Sequence, residues 1–172
     1  EGIVDWKPYN HPQFGKIEIG GIKKAWTRTA PSFLLEEMCH RNMAFTLYHA
    51  YHTPQVQIDS IYIKYLPQGL KEITAVVKNL RVIPTHTSQD IVNKISRADH
   101  VSINGGKVLT GGILEDRFTG EVLEQMRNPQ SLEVENIPGM GAVYVRWIVE
   151  GNGPFTITVN AAKGGTNYKT LK

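Results

Sequence analysis

"AVYVRWIVEGNGPFTITVNA", residues 142–161, contains two alternating runs on either side of a turn. Every second residue from Val143 to Val149 is apolar, and the positions between them include Tyr144 and Arg146. Residues 155–161 alternate in the same way, with threonine or asparagine between the apolar positions. A period of two predicts strands that bury one face. The Gly-Asn-Gly-Pro sequence at 151–154 predicts the turn between these two strands.

The same alternation recurs over residues 55–172, with further runs at 61–65, 73–77, 100–103 and 107–109. Asn104-Gly105-Gly106 is typical of a hairpin turn and joins the last two runs. We therefore predict a mainly β fold, an antiparallel β-sandwich of the immunoglobulin or transthyretin-like type, over residues 55–172. Two stretches are less regular. Residues 90–95 fit a strand or a helical turn, and residues 116–128 fit a loop with a short helix.

Residues 1–54 have a different pattern, which predicts one short strand and one long helix. The strand covers Lys16–Ile19, and the helix runs from about Ser32 to His52, where Thr53-Pro54 ends it. We predict that the helix is amphipathic and packs through one face, formed by Leu34, Leu35, Met38, Phe45 and His49.

Composition excludes several classes of function. The 172 residues carry a net charge of +3, and the lysines are scattered, which argues against a nucleic-acid partner. No apolar run approaches the ~18 residues of a membrane span. Cys39 is the one cysteine, so no disulfide forms within the chain. Its position in the helix predicts an inert, packed thiol.

The histidines do not form a recognisable metal or catalytic motif. His49 and His52 are three residues apart, but zinc needs three or four protein ligands. We predict that His49 packs in the core and that His52 lies at the helix end. His86 and His100 have no acidic partner at a recognisable spacing. The sequence therefore predicts no catalytic residue, no metal ligand and no cofactor in this chain.

Glu18 leaves two interpretations open. It lies on the short strand just before Gly20-Gly21, where a backbone can approach a ligand closely. A carboxylate there could act as a general base beside a metal held by other residues. The alternation with Ile17 and Ile19 favours a solvent-facing strand residue instead.

"DWKPYNHPQFGKIEIGG", residues 5–21, is predicted to be an extended connector rich in aromatic residues. Proline restricts its own φ and disfavours helix in the residue before it, so the segment is stiff. We predict that Trp6, Tyr9 and Phe14 are docking residues that cover apolar surface on a neighbouring body. His11 is predicted to anchor the segment through hydrogen bonds.

This segment, followed by "APSFLLEEMCHRNMAFTLYHAYHTPQVQI" at 30–58, resembles the C-terminal region of bacterial zinc metallocarboxypeptidases related to carboxypeptidase A. "VVKNLRVIPTHT" at 76–87 resembles that family's corner of strand, Asn and Pro-Thr. In that family a β-sandwich follows the helix, and the zinc ligands, a His-x-x-Glu pair and a later His, precede the motif. The resemblance thus implies zinc in the parent protein only.

The resemblance also implies a function. The chain is expected to be an excised C-terminal piece, a non-catalytic accessory module that docks or supports an upstream peptidase domain. By the same resemblance, the parent protein is expected in the periplasm or outside the cell. Two alternatives stay open: a carbohydrate- or cell-surface-binding sandwich that uses Tyr62, Tyr144 and Tyr168, and a self-contained hydrolase that uses Glu18.

Overall fold

The computed structural model describes residues 2–171. It divides into two compact units, of which the first ends at Ala50 and the second begins at Tyr51. The N-terminal part contains β1 Ile3–His11, β2 Gly15–Ile22, a 3₁₀ turn at Lys24–Thr27 and α1 Ser32–Tyr51. The remainder contains β3 Val56–Tyr65, β4 Leu70–Asn79, α2 Ser88–Asn93, β5 Asp99–Asn104, β6 Lys107–Leu114, β7 Val122–Glu124, β8 Ser131–Val134, β9 Ala142–Glu150, β10 Phe155–Ala161 and β11 Gly165–Leu171.

The second unit is an antiparallel β-sandwich, which confirms the predicted fold class. One sheet has the strand order β11-β10-β5-β8, and the other has the order β3-β4-β9-β6-β7. The apolar residues of β9 and β10 alternate as predicted, and Trp147, which has no exposed surface, lies among them. The Trp147 indole donates a hydrogen bond of 2.9 Å to the Pro129 carbonyl, so its polar atom is satisfied inside the core. The core side chains are Val56, Ile58, Ile73, Ala75, Val77, Val101, Ile103, Leu132, Val134, Ile137, Val145, Trp147, Val149, Phe155, Ile157, Val159 and Ala161.

The predicted hairpin at Asn104-Gly105-Gly106 is wrong. β5 pairs with β8 and β10, whereas β6 pairs with β7 and β9, so this turn connects the two sheets. Gly105 has φ +114°, and a Cβ there would lie 1.9 Å from the Pro154 carbonyl oxygen. The turn between β9 and β10, which contains Pro154, likewise passes from one sheet to the other. The two crossing turns therefore touch each other.

The less regular stretches resolve as follows. Residues 88–93 form α2, so the helical interpretation of residues 90–95 was correct. The short helix expected within residues 116–128 is absent, and β7 lies there instead. The preceding loop is held by the Asp116 carboxylate, which accepts hydrogen bonds from the N–H groups of Phe118 and Thr119. Strands β8 and β11 were not predicted.

The predicted connector, residues 5–21, forms most of a β-hairpin. β1 pairs with β2 in an antiparallel hairpin, with Pro8 opposite Glu18 and a register shift between Val4 and Lys7. Pro8 is tolerated because β1 has a free edge in this two-stranded sheet. The prolines predicted a stiff, extended segment, and the pairing of that segment with β2 was not predicted.

α1 ends at Tyr51, one residue before the predicted end. Its apolar side chains are exposed and are not confined to the predicted face, because Phe33, Met43 and Leu47 lie outside it. His49 and Cys39 are exposed, so the predictions that they are packed were wrong. Within residues 2–171, no helix has both the length and the apolar character that a membrane crossing requires.

Candidate functional site

Three of the four residues predicted to dock or anchor this segment lie together at the tip of the β1–β2 hairpin. The rings of Tyr9 and His11 are 6.2 Å apart, and those of His11 and Phe14 are 4.8 Å apart. His11 Nδ1 accepts hydrogen bonds from the N–H groups of Gln13 at 3.1 Å and Phe14 at 3.3 Å. The imidazole thus holds the turn that joins the two strands. We call Tyr9, His11 and Phe14 the tip cluster.

Trp6, the fourth predicted docking residue, lies further along the same hairpin. It faces Gly20, where an added Cβ would come within 2.6 Å of the Trp6 Cα. Only glycine allows the two backbones to approach so closely. Trp6 is 64% exposed and Phe14 is 74% exposed. The hairpin therefore carries its large aromatic side chains outwards.

A buried ionic cluster, which the sequence analysis missed, lies in the sandwich. His86 is 4% exposed and stands between two carboxylates. Its Nδ1 is 2.9 Å from Asp90 Oδ2, and its Nε2 is 3.1 Å from Asp99 Oδ1. The prediction that His86 has no acidic partner was wrong. We call His86, Asp90, Asp99 and Lys163 the histidine cluster.

Asp90 receives the largest number of contacts in this cluster. Its Oδ2 also contacts the Lys163 ammonium, and its Oδ1 accepts a hydrogen bond of 2.7 Å from the Ser96 N–H. The ammonium of Lys163, with help from Ser96 and His86, holds the pKa of the Asp90 carboxyl well below its usual range. Thr87 is the N-cap of α2 and accepts from the Asp90 N–H at 3.3 Å. The carboxylate is thus fixed and charged.

Asp99 connects the cluster to the sheet. It is fully buried at the start of β5, and its Oδ1 also accepts a hydrogen bond of 2.7 Å from the Ala162 N–H beyond β10. The residue before His86 makes a similar bond: the Thr85 hydroxyl accepts a hydrogen bond of 2.9 Å from the Ile137 N–H. Together these bonds fasten the segment between β4 and β5 to the sandwich.

A cleft of about 410 Å³ borders the cluster and is lined by His86, Asp90, Ile91, Lys94, Ser96, Ala98, Glu133 and Glu135. Both ring nitrogens of His86 face carboxylate oxygens, so neither is directed at the cleft as a base or a metal ligand. Across residues 2–171, no group of three or more His, Cys, Asp or Glu side chains is arranged to hold a metal ion. The contacts suit a structural ion network better than a catalytic one.

The sequence contained a signal for this cluster. His86 and Asp90 are four residues apart, with His86 just before the N-cap Thr87 and Asp90 in the first turn of α2, so the start of the helix brings them together. Thr87-x-x-Asp90 is also the spacing of a helix N-cap and an acidic residue in the first turn. Asp99 and Lys163 could not be found in this way, because Lys163 is 73 residues from Asp90.

The corner at "VVKNLRVIPTHT" is built on Asn79, which is almost fully buried. Its Oδ1 accepts from the N–H groups of Gln55 and Arg81, both at 3.1 Å, and its Nδ2 donates to the Ile83 carbonyl at 2.8 Å. The Arg81 guanidinium lies 3.9 Å from the centroid of the Tyr51 ring. Tyr51 and this corner both belong to the second unit.

The residues of the alternative hypotheses are placed separately. Glu18 is an exposed residue of β2, as the alternation favoured. Tyr62 and Tyr144 lie in the five-stranded sheet, but Tyr168 lies in the four-stranded one. Tyr144 is covered by Arg117, which contacts its ring and donates to its hydroxyl at 3.1 Å. The three tyrosines do not form one stacking surface.

A family described as a domain of unknown function, DUF8731, matches residues 55–172. The chain belongs to the DUF8731 family. The matched DUF8731 domain contains the whole sandwich with the histidine cluster, and the hairpin with the tip cluster lies outside it. No curated protein and no solved structure matches the chain.

Proposed function

We propose that this chain is a non-catalytic docking module. The β1–β2 hairpin and α1 attach it to a peptidase domain of the carboxypeptidase A-related type, upstream in the same polypeptide. The sandwich supports that domain. Zinc belongs to the peptidase domain, and this chain contributes no ligand to it.

The observation that carries the proposal is the outward display of Trp6, Tyr9 and Phe14 on a two-stranded hairpin. An isolated hairpin of two strands is at best marginally stable in water and needs a body to pack against. Large aromatic side chains are the usual anchors of such contacts. The same hairpin carries the sequence that resembles the metallocarboxypeptidase motif.

The histidine cluster supports a non-catalytic role for the sandwich. A general base needs a nitrogen that can reach a substrate proton, and a metal ligand needs a free lone pair. In the cluster both His86 nitrogens are directed at carboxylates, at 2.9 and 3.1 Å. We assign the cluster to holding the segment between β4 and β5 in place.

The first test is the reading frame that encodes the chain. A His-x-x-Glu segment and a later histidine upstream of residue 1 support the proposal, and an upstream sequence of another kind contradicts it.

The protein from the complete frame is then compared with its Trp6→Ala/Phe14→Ala variant by limited proteolysis between the peptidase and sandwich parts. We expect faster cleavage in the variant with unchanged bound zinc.

A matched control separates docking from general surface effects. Tyr62→Ala removes an exposed aromatic residue of the sandwich, and we expect the cleavage rate to stay unchanged.

A calorimetric zinc titration of residues 1–172 tests the hydrolase alternative. Stoichiometric zinc binding with turnover of a peptide substrate would contradict a non-catalytic module.

A further inference from the structure

A groove lies where the edges of the two sheets meet. β7 is the edge strand of the five-stranded sheet, and β8 is the edge strand of the four-stranded sheet. Between them is a groove of about 340 Å³. We call it the edge groove, and it is lined by Ile113, Leu123 and Leu132, by the exposed carboxylates of Glu124 and Glu133, and by Gln125.

The side chain of Gln125 occupies the outer edge of β8. Its Oε1 accepts from the Glu133 N–H at 2.8 Å, and its Nε2 donates to the Ser131 carbonyl at 2.8 Å. These two backbone groups flank Leu132 and point away from β5. The Gln125 amide therefore makes the pair of hydrogen bonds that a neighbouring strand would make with β8.

We propose that the edge groove binds an extended peptide in which basic and apolar residues alternate. The peptide adds to β8 as a further strand and displaces the Gln125 amide. This mode of recognition takes its affinity from backbone hydrogen bonds and its specificity from alternate side chains. The inference concerns the sandwich alone and does not rest on the proposed docking of the hairpin.

The alternation follows from the two faces of β8. Leu132 is fully buried and points into the sandwich, so the matching side chains of an added strand would reach Ile113 and Leu123 and should be apolar. Glu133 is exposed on the opposite face, across from His100 of β5. Side chains of the peptide on that face should be lysine or arginine.

The exposed carboxylates of Glu124 and Glu133 also disfavour a second copy of this chain as the ligand of the edge groove. The β8 strand of another copy would bring its own Glu133 to this edge, and Glu135 follows it in sequence. Like charges on neighbouring strands are destabilising. A basic peptide would place a positive charge beside Glu133, and that contact is attractive.

The experiment uses short labelled peptides and fluorescence polarisation with the whole chain. The probes are an alternating Lys–Val peptide, the corresponding Glu–Val peptide, and a Lys–Val peptide with alternate backbone nitrogens methylated. We expect the unmodified Lys–Val peptide to bind about tenfold more tightly than either of the others. Equal binding of the three, or no binding of the Lys–Val peptide, overturns the proposal.

Variants test the assignment to this groove. Gln125→Ala removes the competing amide and should tighten Lys–Val binding. Since Gln125 Nε2 also donates to the Arg127 and Asn128 carbonyls, circular dichroism must show that this variant folds. Glu124→Lys/Glu133→Lys changes only exposed side chains and should reverse the preference to the Glu–Val peptide.

Glu18→Lys/Glu36→Lys changes the same number of exposed charges outside the groove and should leave the preference unchanged. If Gln125→Ala does not fold, the charge-reversal variant still decides. Lys–Val selectivity that survives charge reversal excludes the groove. Self-association of Gln125→Ala without peptide binding assigns the edge to a second copy and also overturns the proposal.

Discussion

Replacing His86 with alanine should be among the most damaging single changes in the sandwich. The side chain is 4% exposed and makes two hydrogen bonds, to Asp90 and to Asp99. Without it, Asp99 stays fully buried with the Ala162 N–H on Oδ1, while its Oδ2 has no hydrogen-bond partner. Leaving a buried carboxylate without its partner costs about 3–5 kcal/mol, because its charge is no longer compensated.

That loss is large against the total stability of a domain, which is about 5–15 kcal/mol. With a urea m-value of about 2 kcal/mol/M, the unfolding midpoint of His86→Ala should fall by roughly 2 M. Equilibrium unfolding followed by tryptophan fluorescence measures this, because Trp147 is buried and becomes exposed on unfolding, whereas Trp6 and Trp26 are already exposed. His100→Ala on the outer face of β5 is the control, and its free energy of unfolding should change by only about 0.5 kcal/mol.

A double-variant cycle shows whether the loss comes from the contact between His86 and Asp99. His86→Ala/Asp99→Ala removes both partners, so its cost should be smaller than the sum of the two single changes by about 1 kcal/mol or more. Additive costs would mean that His86 acts only by filling space. A loss below about 1 kcal/mol for His86→Ala alone would refute the reasoning altogether.

Three further predictions concern the sandwich. The folded pKa of Asp90 is depressed, so its stabilisation is present above the unfolded value of about 3.9 and is lost as the pH falls below it. Urea unfolding at a series of pH values should show this acid loss, and Asp90→Asn should flatten it. Asn79→Ala removes the partners of the Gln55 and Arg81 N–H groups and should cost about 1–3 kcal/mol in the same assay, whereas Asn152→Ala in an exposed turn should cost little. Gly105→Ala should lower the thermal midpoint more than Gly69→Ala, because both have positive φ but only the new Cβ at position 105 meets another atom within 4 Å.

The sequence was sufficient for those parts of the fold that depend on burial alone. β9 and β10 alternate along their whole length because one face of each lies in the core, so their period was readable. The prediction of a hairpin at Asn104-Gly105-Gly106 was wrong for a physical reason. A turn signal predicts that the chain reverses there, but long-range packing decides which sheet receives the next strand.

The two candidate sites also differ in how far apart their residues lie in the sequence. Tyr9, His11 and Phe14 lie within a few residues of one another, so a local interpretation of the segment grouped them, and their docking role stays a prediction. The histidine cluster brings together residues separated by 4, 13 and 73 positions. The contact between His86 and Asp90, which are close in sequence, was visible in principle through the start of α2. The contacts with Asp99 and Lys163, which are distant in sequence, depend on where β5 and β10 place these two residues.

The mutual contact of the two crossing turns limits where this protein can be altered. Gly105 fits against the Pro154 carbonyl without room for a methyl group, so a lengthened loop at either place would force the other aside. Labels, permuted termini and inserted epitopes should fail at residues 104–106 and 151–154. The tip of the loop at Phe118, whose side chain lies wholly in solvent, is the better position for all three.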